Sequence, residues 1–423
     1  MRRILFISII VAATCALVFT AAALAQSVSL PEHMGWMQPK QLSNSEQKAS
    51  RGPQLAVDVD GDLHLLWMDD TTGPADPYYV RSDDGGSSWS IREVITNSPQ
   101  ASYQGSLAVG ADGIAHGCWW EERPGLPQQF ELLYARRSGE GWVVQETVVI
   151  TTSAIQEPSI VDDGDSVHVV WADKLSGPFD LYYSRKVESG STWADPVFVT
   201  NTEPSSLHPR MTADGDGNLH VVWQENTLPN EIMYISGTVE ADHTTWSDPI
   251  TVSEKIAPNA TSPHIAVGED GMAHVVFGVD VPGQQNVQDV YHASFPIGNA
   301  DDISPALIPG SRVEISQQLP NYASPSIALD EPDDVHVAWN GLQDGDIWDR
   351  IYWAVSHDGG ASWSEPLAIS ADDAWADGFP AIATDGTLVH VAWQQQELIS
   401  DNDIYYAHSL PLVYHFALGL KGY

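Results

Sequence analysis

The chain repeats one short pattern seven times, and this repetition constrains its fold more than any other feature. Each copy contains a histidine, then two mostly aliphatic residues and an aromatic residue. Successive histidines are 52, 52, 52, 54, 62 and 54 residues apart. A regular period of this length is typical of structural units that pack against one another rather than of separate domains. The seven histidines are His64, His116, His168, His220, His274, His336 and His390.

Each copy of the pattern predicts four short strands. The first strand, as in 158–161, is joined by a tight turn to the second strand, which carries the histidine. A Tyr-rich third strand such as 180–183 follows a loop of variable length, and a Trp such as Trp193 opens the fourth strand. Six of the seven tight turns contain Asp-Gly, at Asp60, Asp112, Asp163, Asp216, Asp270 and Asp385.

Seven units of four strands predict an all-β fold, a seven-bladed β-propeller of antiparallel blades over residues 26–409. A unit this small cannot bury both of its faces, whereas units that stand around an axis share a continuous core. A β-solenoid is the main alternative, but its repeats are usually shorter and supply fewer strands. We therefore expect a closed ring of blades.

The N-terminal segment is predicted to complete the last blade. The seventh copy has three strands, ending near Tyr406, and no Trp follows to open a fourth. Residues 36–43 have the Trp, Pro, aliphatic and Ser spacing of 246–253 and 363–370. Pairing this segment with the seventh copy would remove the exposed sheet edges of an open ring.

The two ends of the chain lie outside the repeats. Residues 1–25 have the features of an export signal, with two early arginines, an apolar run and a small residue at each side of Leu24. An uncleaved membrane anchor and a lipoprotein anchor at Cys15 are less favoured alternatives, because the run ends in alanines and continues past Cys15. Residues 410–423 match no repeat and are an edge strand, a blade cover or a recognition tail.

The predicted export and the charge of the chain limit the classes of partner that the protein can bind. The chain has 18 Lys and Arg against 57 Asp and Glu, and loss of two signal arginines leaves 16 cations and a net charge near −41. Such a charge argues against nucleic acid as a partner. Only Cys118 remains after cleavage, so no intrachain disulfide is expected. We expect a secreted, extracellular protein, or a periplasmic or cell-surface one, with no membrane span after signal cleavage.

Two of the turns between third and fourth strands share a longer motif, Ser-x-Asp-x-Gly-x-Ser-Trp. It comprises Ser82, Asp84, Gly86, Ser88 and Trp89 in one copy, and Ser356, Asp358, Gly360, Ser362 and Trp363 in the other. Less complete versions precede Trp142, Trp193 and Trp246. The motif resembles the Asp-box, or bacterial neuraminidase repeat, of the sialidase superfamily. Its own role is structural, since the Asp accepts hydrogen bonds from turn amides and the Trp fits between strands.

The resemblance also implies what a sialidase site would contain. Sialidases use an aromatic-Arg-Ile-Pro motif, three arginines that hold the substrate carboxylate, a Tyr nucleophile with a Glu partner, and an Asp acid. Here residues 50–53 keep the Arg and the Pro but lack the aromatic residue and the Ile, and sialidases typically have six blades. The catalytic motifs are therefore degenerate, and only Arg51 is carried over from the family.

Residues that recur in every copy are best explained by the fold, so site residues are sought outside the pattern. The seven histidines are interpreted as buried groups bonded to neighbouring backbone rather than as a metal-binding ring. Asp58, Asp60 and Asp62 have the alternate oxygen ligands that calcium favours, but they lie in a turn that every blade needs. We therefore expect no metal and no other cofactor, and an inert thiol at Cys118.

The remaining candidates are predicted on one face. Because the first-to-second and third-to-fourth turns are short and share one rim, the long second-to-third loops and blade connections share the other. Exposed Trp suits sugar rings or protein surfaces, and Arg suits an anionic group. Packing on their own blades and pairing with local acids such as Glu121, Glu122 and Asp349 are the alternatives. The candidates are Trp120, Trp348, Trp375, Arg51, Arg123, Arg210 and Arg350.

Three functions are compatible with this pattern. The favoured one is a monomeric, noncatalytic module that binds a glycan or an extracellular protein on the long-loop face. The second is an exo-acting glycosidase of the sialidase type, in which Arg51, Arg210 and Arg350 hold a carboxylate and Tyr322 or a loop acid attacks the anomeric carbon. The third is a structural or envelope-scaffold propeller. The degenerate arginine motif favours the first.

Overall fold

A computed structural model shows an all-β ring of seven blades, as predicted, and each blade is an antiparallel sheet. The structure describes residues 35–410 except 45–47, 127, 140, 176, 188–191, 255–258, 299–302, 315–322, 331–333, 344–347, 372–375 and 399–400. The predicted export signal and tail residues 411–423 lie outside this range. Within the described part, no helix is long and apolar enough to cross a membrane.

The first three blades follow one another along the chain, and each runs from an inner first strand to an outer fourth strand. Blade 1 contains Ser50–Val57, Leu63–Asp69, Asp76–Ser82 and Glu93–Val94. Blade 2 contains Ser102–Val109, Ala115–Glu122, Phe130–Ser138 and Gly141–Thr151. Blade 3 contains Ile155–Asp162, Ser166–Asp173, Asp180–Val187 and Val197–Phe198.

The other four blades follow the same plan, with a divided outer edge in blades 4 and 5. Blade 4 contains Ser206–Ala213, Leu219–Glu225, Glu231–Val239, Thr244–Trp246 and Ile250–Thr251. Blade 5 contains Ala260–Val267, Met272–Asp280, Val287–Pro296, Ala306–Leu307 and Val313–Glu314. Blade 6 contains Ser326–Asp330, Asp334–Gly341, Arg350–Ser356 and Leu367–Ala368. Blade 7 contains Ala376–Thr384, Val389–Leu398, Asp401–His408 and the N-terminal Lys40–Gln41.

The hydrophobic core lies between neighbouring blades. Second strands such as Leu219–Glu225 are buried along their whole length, since both faces of a blade are covered. One cluster joins Cys118 and Leu132 of blade 2 to Ile160 and Trp171 of blade 3. Burial raises the pKa of the Cys118 thiol well above its usual range, so this cysteine is an unreactive core residue, as expected.

The repeated histidines are buried, as predicted, but in six of the seven blades the partner is a side chain rather than a backbone group. In blade 3, His168 Nδ1 lies 2.7 Å from the Tyr183 hydroxyl, and its Nε2 lies 2.8 Å from Asp163 Oδ2. The Tyr side chain reaches the imidazole because it lies diagonally across the strand pair on the same face. The same contact joins His64 to Tyr79, His116 to Tyr134, His220 to Tyr234 and His390 to Tyr406.

The acidic turn of blade 1 uses its oxygens within the turn. Asp58 Oδ1 accepts hydrogen bonds from the amides of Asp60 and Asp62, at 3.0 and 2.9 Å. Asp58 Oδ2 lies 3.1 Å from His64 Nε2, and Asp62 pairs with Arg81. These contacts support the interpretation of the segment as a turn that holds the buried histidine.

An aromatic contact joins every blade to the next. In blade 2, Trp142 packs edge-on against Tyr79 of blade 1, with ring centroids 5.2 Å apart and an interplanar angle of 81°. Such pairs contribute about 0.5–1.5 kcal/mol each beyond the area that they bury. The sequence indicated a Trp wedged between strands, and the structure places it between blades. The other six pairs are Trp89–Tyr406, Trp193–Tyr134, Trp246–Tyr183, Phe295–Tyr234, Trp363–His292 and Trp36–Trp353.

The N-terminal strand closes the ring, as predicted from its spacing. Lys40–Gln41 pairs antiparallel with the third strand of blade 7. Ser43 Oγ accepts a hydrogen bond from the Ile404 amide at 2.8 Å, as Ser370 Oγ does from the Ile351 amide of blade 6 at 3.0 Å. Together with the Trp36 contact to blade 6, these bonds give residues 36–43 the full role of a fourth strand.

The two Ser-x-Asp-x-Gly turns share one hydrogen-bonding pattern, in agreement with a structural role. Asp84 Oδ1 accepts a hydrogen bond from the Ser88 amide at 2.7 Å, and Ser82 Oγ accepts one from the Gly86 amide at 2.9 Å. The second turn has the same bonds, Ser362 amide to Asp358 and Gly360 amide to Ser356, both at 2.7 Å.

Replacing Gly86 with alanine is expected to destabilise the fold by about 2–4 kcal/mol. Gly86 has a φ of +86°, which is unfavourable for alanine, and an added Cβ would overlap the Tyr406 ring of blade 7. Gly85→Ala is a matched control, because Gly85 has a φ of +65° but its Cβ would lie 3.8 Å from Leu388. Urea unfolding should show the larger loss for Gly86→Ala. Equal losses would argue against close packing of this turn on blade 7.

Candidate functional site

The first strands of the seven blades surround a cavity of about 610 Å³ on the axis of the ring. Its lining residues extend from the start of the first strands, at Arg51 and Ser102, to their middle, and they include Ala75 of a second-to-third loop. The cavity is therefore located at the end of the ring that carries the blade connections and the long loops. Its size falls in the range of small-molecule sites, and it lies on the face predicted to bind a ligand.

In six of the seven blades a bulge in the first strand brings one residue to the cavity wall. In six blades the strand register shifts at this point. The bulged residue has a positive φ between 49° and 58° in the same six blades. Left-handed backbone costs a residue other than glycine about 1–2 kcal/mol, and such strain is often found at ligand sites. The six bulged residues and Ser324, which has the equivalent sequence position in blade 6, are here called the inner ring: Gly52, Gln104, Glu157, His208, Ser262, Ser324 and Phe379.

The inner ring was missed by the sequence analysis. Its backbone position recurs in every copy, usually just before a proline, so it was set aside with the rest of the repeat. The chemistry at that position nevertheless differs among the copies, from Gly52 to Glu157 to Phe379. A repeated backbone position with a variable side chain is the signal that would have identified it.

Two arginines, one from blade 1 and one from blade 4, line the cavity. Arg51 is half exposed and lies 3.5 Å from Asp70. Arg210 donates a hydrogen bond from Nη1 to the Pro209 carbonyl at 2.9 Å, which uses one of its five N–H donors. The structure thus brings Arg51 and Arg210 to one cavity, where both guanidinium groups can donate to an anion.

The acidic member of the cavity wall is Glu157. Its Oε2 lies 2.7 Å from His208 Nδ1. Burial alone would raise the pKa of Glu157, but the contact with His208 and the charge of Arg210 outweigh it and lower the pKa. Glu157 is therefore ionised at neutral pH, a state suited to orienting cations and not to donating a proton as a general acid.

A neutral imidazole lies beside the arginine of blade 4. Burial lowers the pKa of His264, and the charge of Arg210 lowers it further. The His264 Nδ1 atom is buried and has no hydrogen-bond partner among the described residues. Because His264 lines the cavity, it adds a polar group that a ligand can satisfy.

An aromatic pair forms the blade 2 side of the cavity. The rings of Tyr103 and Trp120 stack with centroids 4.4 Å apart and an interplanar angle of 20°. Trp120 was predicted in a loop, but it lies within the strand Ala115–Glu122, directly opposite Tyr103 in the register. Its Nε1 donates a hydrogen bond to Gln104 Oε1 at 2.9 Å, so Trp120 supports the wall from behind Tyr103.

Arg350 lies away from the axial cavity. Its Nη2 donates a hydrogen bond to the Ser370 carbonyl at 2.6 Å, and it lines a separate pocket of about 180 Å³ beside Trp36. The reason is its position on a third strand, farther from the axis than the first strands that carry Arg51 and Arg210. The predicted group of three arginines is therefore divided between two places.

The other candidates also lie apart from the cavity or outside the described residues. Arg123 donates a hydrogen bond to Gln129 Oε1 at 3.2 Å and lies 3.9 Å from Glu131, in a local pairing. Trp348 is 37% exposed and is not among the described residues that line the cavity. Tyr322 and Trp375 lie outside the described residues.

Comparisons with known proteins define the class of the fold. No family model and no curated protein sequence matches the chain. A structure titled as an ulvan lyase of polysaccharide lyase family PL25 superposes with a TM-score of 0.55 and 13% identity, covering 89% of this chain and 99% of that one. The endosialidase of phage phi92 gives 0.53 and 10%, covering 91% and 71%. A protein of unknown function from Dyadobacter fermentans gives 0.54 and 12%, covering 89% and 98%.

At these identities the similarity concerns the fold alone. The chain is a seven-bladed β-propeller whose solved neighbours include sialidase-type and polysaccharide lyase propellers. The resemblance noted in the sequence therefore agrees with the architecture.

Proposed function

We propose that the protein is a secreted binding module that holds an anionic glycan in its axial cavity without cleaving it. The observation that carries this proposal is the pair of guanidinium groups, Arg51 and Arg210, facing one cavity of a chain with a net charge of −39. Guanidinium groups bind carboxylates and sulfates through paired hydrogen bonds. A chain with so few cations places two of them where an anion can enter.

The names of the solved neighbours support a saccharide as the ligand. One neighbour is a polysaccharide lyase that was also solved with -[GlcA(1-4)Rha3S]-, and another is an endosialidase. Glucuronate and sulfated rhamnose carry the kind of negative charge that Arg51 and Arg210 suit. A hydroxylated ring would also satisfy polar groups of the wall such as His264.

The geometry favours binding over the glycosidase alternative. A sialidase-type site needs three converging arginines, and Arg350 lies in a different pocket from the other two. Tyr103 is the one tyrosine among the described lining residues, and its ring stacks on that of Trp120. The ionised Glu157 is poorly suited to act as a general acid. A purely structural role would not require two arginines in the lining of the cavity.

Arg210→Lys is expected to weaken binding of an acidic oligosaccharide about tenfold or more, because lysine keeps the charge but loses the paired donors. Isothermal titration calorimetry would compare sialyllactose and a tetrasaccharide of glucuronate and 3-sulfated rhamnose with neutral lactose. Arg123→Lys is the matched control, because Arg123 lies in a local pairing with Gln129 and Glu131, and should bind as the unchanged protein does.

Two results would contradict the proposed function. One is failure of the unchanged protein to bind either acidic probe. The other is hydrolysis of a fluorogenic sialoside that Arg51→Lys abolishes while the fold survives, which would establish the glycosidase alternative. We expect no hydrolysis above background.

A further inference from the structure

The inner ring has an opening at blade 1. Its other six positions carry a side chain, whereas blade 1 has Gly52. A Cβ added at Gly52 would meet no atom within 4 Å, so the space in front of this residue is open. The neighbouring Arg51 side chain is half exposed and lines the same cavity. Blade 1 therefore combines free space with a cationic group.

Aromatic residues lie on both sides of this opening. Blade 2 contributes Tyr103, which lines the cavity and remains 43% exposed although one face of its ring lies on Trp120. Blade 7, on the other side of blade 1, contributes Phe379 to the cavity lining. A sugar ring has an apolar C–H face that packs well on aromatic rings.

The Tyr103 side of the opening is held in place by several contacts. Trp120 packs edge-on against Phe130, with ring centroids 5.8 Å apart. Gln104 Oε1 accepts hydrogen bonds from Trp120 Nε1 at 2.9 Å and from the Glu157 amide at 3.0 Å. These hydrogen bonds connect the aromatic side of the cavity in blade 2 to the charged side in blade 3. A surface fixed in this way loses little conformational entropy when it binds a ligand.

From these observations we infer a sugar subsite at blade 1, where one acidic pyranose stacks on Tyr103, occupies the space before Gly52 and places its carboxylate or sulfate on Arg51. The inference rests on the proposed function, because it assigns one residue of the same glycan to one sector of the cavity. The ligand class is a saccharide with a uronate or a sulfated pyranose. Arg210, in blade 4, contacts a different part of the glycan.

The first test removes the stacking surface. Tyr103→Ala is expected to weaken binding of the glucuronate and 3-sulfated rhamnose tetrasaccharide about tenfold, whereas Tyr103→Phe should bind within about twofold of the unchanged protein. Phe198→Ala is the matched control. Phe198 is another exposed aromatic residue, 46% accessible and packed on Tyr182, but it lies on the outer strand of blade 3.

The second test fills the opening instead of removing a wall. Gly52→Asn adds a side chain at a backbone position where five other blades accept a residue other than glycine at positive φ, so the fold should tolerate it. We expect this variant to lose at least tenfold in affinity for the same tetrasaccharide. Gly61→Asn is the matched control, because Gly61 is another blade 1 glycine with a positive φ, +83°, and free space at Cβ, but it lies in the short turn outside the cavity lining; it should retain binding within about threefold.

The outcomes separate the two proposals. If the unchanged protein binds neither acidic probe, the proposed function and this subsite are both overturned. If it binds and Arg210→Lys weakens binding, but Tyr103→Ala and Gly52→Asn bind normally, the subsite alone is overturned. Loss of binding in both variants, with melting temperatures near that of the unchanged protein, supports the subsite.

Discussion

A protein that lacks residues 26–45 is expected to melt roughly 10 °C below the chain that begins at residue 26. The deletion removes Trp36 from the core that it forms with Trp353, and loss of a buried Trp costs about 3–5 kcal/mol. It also leaves Asp403 without its bonds to Gln41 and Ser43, both 2.7 Å long, and exposes the edge of blade 7.

Differential scanning calorimetry would measure this change. A shorter deletion, of residues 26–34, ends before Trp36 and is the control for shortening the chain. A synthetic peptide of residues 35–45 added to the larger deletion should restore part of the lost melting temperature, because the ring is closed without a covalent bond. An unchanged melting temperature after the larger deletion would contradict the role of the N-terminal strand.

Acidification from pH 6.5 to pH 4 is expected to cost several kcal/mol of stability. Burial lowers the pKa of His116 and of His336 to about 4, and it also lowers the pKa of His64 and His220. The unfolded chain takes up these protons near pH 6.5, whereas the folded chain takes them up at lower pH, near pH 4 for His116 and His336. Stability is therefore full above pH 6.5 and is lost as the pH falls, by about 3 kcal/mol for each of His116 and His336.

The turn carboxylates extend this loss to lower pH. Burial would raise the pKa of Asp385, but its bonds with His390 and with the amides of Leu388 and Thr387 lower it to about 2. Its contribution is thus present above its usual pKa near 3.8 and is lost as the pH falls toward 2. As the pH falls, the buried histidines therefore lose their contribution to stability first, and Asp385 loses its contribution at lower pH.

Urea unfolding at pH 7.0, 5.5 and 4.5 would measure the histidine contribution. His336→Leu is an informative variant, because both ring nitrogens of His336 lack hydrogen-bond partners among the described residues, so the change should cost little at pH 7. It should reduce the difference in stability between pH 7.0 and 4.5 by about 2.5 kcal/mol. A stability that is flat over this range would contradict the prediction.

The ring and its closure could be predicted because they follow from local spacing. Asp-Gly turns and His-x-x-Trp strands define a blade, and the match of 36–43 to 246–253 identifies the missing strand. The histidine partners were harder to predict, because the Tyr183 hydroxyl reaches His168 only through the register of two strands. Contacts between blades, such as Trp142 on Tyr79, depend on the angle between neighbouring sheets, which the sequence does not specify.

The site was predicted in part. Arg51 and Arg210 reach the axial cavity because they lie on first strands, whereas Arg350 begins a third strand and lies farther out. The position of a strand within its blade, from first to fourth, therefore decides the distance of its residues from the axis. The prediction placed the arginines on one face of the ring but did not consider this distance. Removing the repeat from consideration also removed Tyr103 and the inner ring, because their backbone positions recur although their side chains do not.

The first-strand bulge separates the proposed binding surface from the contacts that hold the fold. Each blade holds its junction through the outer aromatic pair, and blades such as blade 3 hold a turn through the buried histidine, whereas the inner ring contributes one residue per blade at a backbone position that accepts Gly52, Glu157 or Phe379. Seven replaceable residues at one radius, some of them in mutual contact as Glu157 is with His208, allow a combinatorial library of cavities on a constant scaffold. Selection from such a library could yield new ligand specificities with little loss of thermal stability.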